Sequence, residues 1–220
     1  MIESGELKGI YKLGGASLVI SGILFLLTGV VEFMHGPPPQ GGSEILAWTA
    51  AYRSSFEAVS ELLFFAAMFL LPGVMALYLS LASVDRVKAA TGCAIVAVII
   101  PVLAMLDIVH GRLAFPVYGI RVSTPDLAQA FIALYYGGVH SVLLMATAAT
   151  VLLSLAMTRS VFGRWVAYLG MATAAADIIG SYPWAIGPVV TLVCQAFFAA
   201  WFAAVGATLY GIRNDTPALR

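Results

Sequence analysis

Charged side chains are scarce. Only 10% of the 220 residues are Asp, Glu, Lys or Arg, and eleven bases balance eleven acids to a formal net charge of zero. A soluble domain carries roughly 25% charged residues, so this chain has too few to coat a water-soluble core. No block of like charge occurs, which argues against nucleic acid as a partner. Cysteine is nearly absent too: Cys93 and Cys194 are the only two, and both lie inside apolar runs. The topology below sets them in opposite halves of a bilayer, too far apart for a disulfide. Only three histidines occur, and His-Glu-x-x-His, His-x-x-x-His and Gly-x-Ser-x-Gly are all missing. That removes the usual patterns of zinc proteases and serine hydrolases. The first residues, Met1 to Glu6, lack the basic start of a secretory signal, so the first apolar run is expected to be retained as a span.

What the chain has instead is apolar length. Hydrophobic residues make up 61%, and mean hydropathy is +0.98. Apolar runs of about 18 residues or more recur from end to end, the mark of a polytopic membrane protein. The expected fold is all-α: a six-transmembrane-helix bundle forming one integral membrane domain over residues 1–220. The spans are expected at about 10–34, 56–82, 88–110, 125–157, 163–182 and 188–212. In span one, Gly15, Gly22 and Gly29 recur every seven residues and predict a helix-packing face. The prolines and glycines of residues 36–42 end that span. Ser43 and Glu44 then suit the start of a short interfacial helix carrying Trp48 and Tyr52. Pro72 and Pro101 predict bends in spans two and three. Thr124-Pro125-Asp126 reads as a helix start, and Pro188 is placed to open span six.

Six spans put both termini on one side. Eight of the eleven basic residues fall there: Lys8, Lys12, Arg86, Lys88, Arg159, Arg164, Arg213 and Arg220. Arg53, Arg112 and Arg121 fall on the other. The positive-inside rule then makes both termini cytoplasmic, in a multi-pass protein of the cell membrane.

The polar residues divide the other way. Every span offers a polar group in its outer half: Glu32, Glu61, Asp107 with His110, His140, Asp177 and Gln195. Asp107 and His110 are three apart and share a helix face. Exposing such groups to lipid costs several kcal/mol each, roughly, so they are expected to pair, point inward or line a wet cavity. Glu61, Asp107, His110, His140, Asp177 and Gln195 are therefore the candidate ligand or proton-site residues. Glu57 and Arg112, with Asp107 and His110, are expected at the mouth. Pairing of Arg53 or Arg112 with Glu57 or Asp107 in an ordinary outer vestibule is the plainer alternative. Carboxylate and imidazole at Glu61, Asp107, His110 and His140 match metal-ligand chemistry, but no ligand spacing motif backs a metal. Haem between His110 and His140 would need two histidines at equal depth, and theirs differ. Glu57 and Glu61 are spaced by four, which departs from the adjacent Glu pair of intramembrane CAAX-type proteases. No cofactor is assigned.

Lys12-Leu13-Gly14-Gly15 at span one and Phe162-Gly163-Arg164-Trp165-Val166-Ala167-Tyr168-Leu169-Gly170 at span five are entries from a basic inner surface. With the overall size, they resemble the uncharacterised six-span membrane families of bacteria and archaea. The resemblance implies a fold and no site. Three functional classes stay open. The chain could bind or transport a small molecule or ion through an outward-facing polar cavity. It could be a non-catalytic subunit or assembly factor, joined to itself or to other chains through its small-residue faces. It could be a membrane enzyme acting on a lipid or quinone.

Overall fold

The computed structural model describes residues 4–212. Its elements are seven helices: α1 (Ser4–His35), α2 (Gly42–Ala51), α3 (Arg53–Leu81), α4 (Arg86–Ala114), α5 (Pro125–Met157), α6 (Gly163–Gly180) and α7 (Pro183–Tyr210). Among the described residues the one β feature is a single bridge, Val117 to Ile120, at a turn where Tyr118 and Gly119 take positive φ. Arg213 and Arg220, which enter the charge bias, lie outside the described residues.

Five helices, α1, α3, α4, α5 and α7, are long and apolar enough to cross a membrane. The sixth expected span, α6, has 18 residues, about 27 Å at 1.5 Å per residue, and does not join those five. Arg164 and Asp177 dilute its short apolar stretch. The ten-residue α2 stands where a short helix between spans one and two was expected. It starts at Gly42 without a side-chain cap, so Ser43 does not have the capping role expected of it.

Local chemistry explains the breaks. Gly36, at φ 71, ends α1, and its N–H donates to Glu32 O at 3.2 Å. A left-handed residue is the common way to stop a helix, and glycine takes it without strain. Asp85 caps α4 through its side chain, accepting from Lys88 N at 3.1 Å. The Lys88 ammonium also pairs with this carboxyl and holds it below its ordinary range. Pro72 and Pro101 sit inside α3 and α4, which continue through both. The sharp break comes instead at Gly187, φ 77, where α7 turns before Pro188.

The six long helices pack in a closed ring in chain order: α1 on α3, α3 on α4, α4 on α5, α5 on α6, α6 on α7, and α7 back on α1. The closing seam is made by the glycine face of α1. A methyl added at Gly15 would stand 2.5 Å from Gly206 O and 2.6 Å from Tyr210 N. At Gly22 it would meet Phe202 Cβ at 3.0 Å and Ala199 O at 3.1 Å. Absent side chains let the two backbones approach closely, as in small-residue helix pairs generally. Helix α2 folds over the far end of the ring, where Ile45 packs on Ala128 and Ile132 of α5.

Candidate functional site

A ring of six helices leaves space along its axis. Here that space is a cavity of about 140 Å³ to which every long helix contributes. Its walls follow helical periodicity. On α5 they are Tyr135, Val139, Val142, Ala146 and Ala149; on α7 they are Thr191, Gln195, Phe198 and Phe202. Each set recurs at three- or four-residue steps, so one stripe per helix faces the axis. Most of the lining is apolar. The polar groups are few: Glu32 and Thr28 from α1, Tyr135, Tyr136 and Thr150 from α5, Asp177 from α6, and Thr191, Gln195 and the Trp201 indole N–H from α7.

Some of these groups are held, and two keep a buried oxygen without a partner. Tyr135 Oη donates to Glu32 Oε1 at 2.8 Å. The Gln195 carboxamide fills the place where a side chain at Gly29 would go, one turn before Glu32. Its Oε1 is buried and finds no hydrogen-bond partner among the described residues. The same holds for Asp177 Oδ2, on a residue only 2% exposed. Trp201 Nε1 is also unpartnered, but it lies against Gly170 on the α6 side, next to Ser154 Oγ.

The cavity continues into a cleft of about 200 Å³. Glu32, Tyr136, Pro183, Thr191 and Gln195 belong to both spaces. The cleft lies between the end of α1 with Pro37 and Pro38, the first half of α5, and the start of α7 with Trp184. It exists because α6 is short. His140 of α5 reaches Ser181 O, just past the end of α6, at 2.8 Å. Residues of α5 before His140 therefore rise beyond α6, and Ile132, Ala133 and Tyr136 face the cleft.

Elsewhere the same end of the ring is shut by aromatic packing. Phe56 is fully buried between two imidazoles. His35 stacks on it at 5.3 Å and 19°, and His110 at 4.8 Å and 10°. Tyr135 tilts onto His110 at 4.6 Å, and Trp48 of α2 meets both His35 and Phe56 edge-on. Trp48 Nε1 donates to His35 O at 3.1 Å, which clamps α2 over the stack.

The candidate residues thus separate. Asp177, Gln195 and Glu32 line the cavity. Glu61 is exposed on the outside of α3. Asp107 is half-buried and faces Ser60 and Glu61 across the α3–α4 seam, away from the cavity lining. His110 was expected at the mouth, yet it is 2% exposed and shares a hydrogen bond with Ser60 Oγ at 3.2 Å. The reason is that α4 runs one more turn to Ala114 and the Trp48 helix covers its end. His140 bonds Ser181 O through Nδ1, which must carry the proton to do so, and packs against Tyr182 at 4.8 Å. It closes the end of α6 and does not line the cavity. Glu57 pairs with Arg53 at 3.0 Å, the plainer alternative for this residue. Arg112 is half-buried in the last turn of α4. Glu61, Asp107, His110 and His140 do not assemble into a shared ligand set. Among the described residues no three of His, Cys, Asp and Glu come close enough to hold one metal ion. Both cysteines are free and buried.

Sequence reasoning under-weighted Glu32 and missed Tyr135 and Tyr136. Their signal was present: Glu32 is an acid in an apolar run, and Tyr135 lies five residues before His140, within the outer half of its span. Comparison with protein-family models, with curated proteins and with solved structures returns no match.

Proposed function

We propose that the chain is an integral protein of the cell membrane that binds a small, largely apolar molecule in the cavity inside its helix ring. One observation carries this reading: the cavity is built by all six long helices, and its apolar walls end in a few convergent polar groups. That is the usual make-up of a small-molecule site. The expectation of a polar, outward-facing vestibule is thereby revised to an apolar chamber with polar anchors. In this reading α6 spans the membrane with the other five, its charged groups Arg164 and Asp177 at the surface and toward the axis respectively. Both termini are cytoplasmic, by the basic bias of the loops. The bilayer contacts the exposed apolar flanks, such as Ile20, Leu27, Met105, Ile108 and Val193. The cleft beyond α6 is the route by which a ligand reaches the chamber from the outer half of the membrane.

The test uses purified protein in nonionic detergent and propylbenzene as probe. Propylbenzene is expected to raise the melting temperature of the wild type and to leave that of Ala146→Phe, which fills the chamber, unchanged. An equal rise in both proteins would place the binding elsewhere and overturn the reading. Val142→Phe, on the next turn of α5, repeats the test if Ala146→Phe fails to fold.

A second reading, a subunit of a larger membrane assembly, has one observation in its favour. Tyr118 is fully exposed at the α4–α5 turn, with Ile120 beside it at 75%. Stoichiometric co-purification of another chain, lost on Tyr118→Ser, would support it.

A further inference from the structure

The chamber carries acidic groups and no basic one, and this specifies the ligand. Glu32 and Asp177 bring two carboxyls to the lining, while no Lys, Arg or His is part of it. A carboxylate in apolar surroundings requires a counter-charge or strong hydrogen bonds. Glu32 receives hydrogen bonds from the side chains of Tyr135 and Gln195. Asp177, 98% buried, keeps Oδ2 without a partner, and Gln195 Oε1 is likewise unpartnered. Trp201 Nε1–H, a buried unpartnered donor in the lining, is turned to Gly170 and leaves these oxygens unserved. Tyr136, Phe198 and Phe202 add aromatic rings to a mostly aliphatic wall, and such rings attract cations over their faces. An anion would meet two carboxyls and no counter-charge. A neutral hydrocarbon would fill the space and leave the acceptors unsatisfied.

We infer that the ligand is an organic cation, an ammonium group bearing N–H donors on an apolar body, with Asp177 as its charge partner and Gln195 and Glu32 as further acceptors. This inference rests on the binding reading above and specifies its ligand. The ammonium supplies what the site lacks, a positive charge and several donors in one small group. Its apolar body occupies the walls on α4, α5 and α7. Gly29 belongs to the same device, since only an absent side chain leaves room for the Gln195 carboxamide to reach this level.

The experiment compares phenethylammonium, its neutral isostere propylbenzene and the anion 3-phenylpropanoate by calorimetric titration and melting temperature. Wild type is expected to bind phenethylammonium at least tenfold more tightly than propylbenzene, and to show no binding of the anion. Asp177→Asn, nearly isosteric, is expected to lose at least tenfold in affinity for the amine and to keep its affinity for propylbenzene. Glu32→Gln gives the same pattern with a smaller loss, and serves if Asp177→Asn does not fold. If propylbenzene binds but the amine binds no better, or the Asn variant binds the amine as wild type does, the cation assignment is overturned and the chamber reading stands. If none of the three probes binds, both are overturned.

Discussion

Two glycines on one face of α1 do different things. At Gly15 an added methyl would meet backbone atoms of α7, Gly206 O at 2.5 Å and Tyr210 N at 2.6 Å, and backbone cannot step aside. Gly15→Ala is therefore expected to force α1 and α7 apart, with a loss of roughly 1–3 kcal/mol, read as a lower melting temperature. At Gly29 the methyl would overlap the far end of Gln195, a flexible side chain that can swing away. Gly29→Ala is expected to leave the melting temperature nearly unchanged and to weaken amine binding, a split that thermal shift with and without phenethylammonium measures. Asp85 offers a third case. Its carboxyl is held below its ordinary value of 3.8 by the Lys88 side chain and N–H. A depressed folded-state pKa means the cap is fully effective above the ordinary aspartate range and fades as the pH falls through the lower folded value. Amide exchange at Lys88 and Ala89 is expected to speed up, relative to the rest of α4, as the pH drops below about 4. Asp85→Asn, which keeps an acceptor but loses the charge, should flatten that profile.

Helices α5 and α6 act as an unequal pair. The first has 33 residues and the second 18, and the difference, about 22 Å of helix, opens the cleft beside the chamber. The His35–Phe56–His110 stack closes the neighbouring sector, between α1, α3 and α4. Phe56→Ala is expected to destabilise the protein by roughly 3 kcal/mol or more, since a fully buried ring leaves a cavity. Phe56→Leu should lose less, because it keeps much of the apolar volume while removing the ring faces. If the stack is a wall, both variants should also quicken exchange of the nearby His110 ring environment, seen by NMR, before they alter the cleft. At the break in α7, Gly187 holds φ 77 and ψ 166. Gly187→Ala places a side chain in a region that L residues avoid, and it is expected to lower the melting temperature by shifting the Trp184 turn.

For the whole molecule, the charge bias makes a prediction about sidedness. With Cys93 and Cys194 buried, the wild type should label poorly with a membrane-impermeant maleimide on intact cells. Tyr118→Cys, at an exposed turn, is expected to label from outside. Ser160→Cys, in the α5–α6 turn between Arg159 and Arg164, should label only after the membrane is opened. The opposite pattern would reverse the topology and move the cleft to the inner half of the bilayer.

The helices themselves were legible in the sequence, because apolar length and proline and glycine punctuation are local. Span four was expected at about 125–157 and is Pro125–Met157, with Pro125 at its first turn. The heptad of glycines at 15, 22 and 29 announced a packing face, and α7 occupies it. The position of a polar residue along its span follows from counting, so Asp177 and Gln195 were legible as polar groups in the outer halves of theirs. Which way each side chain turns is another matter. That depends on the neighbours that close the ring, and contacts such as Tyr135 with Glu32, 103 residues apart, have no local trace. Glu61 faces outward, and His110 is covered by a helix the periodicity could not aim. The sequence alone determined a bundle of apolar helices with a polar group toward one end of each. Only the tertiary ring decided that two of the six expected site residues, with Glu32, meet around one chamber, since a common axis is a property of six helices packed together.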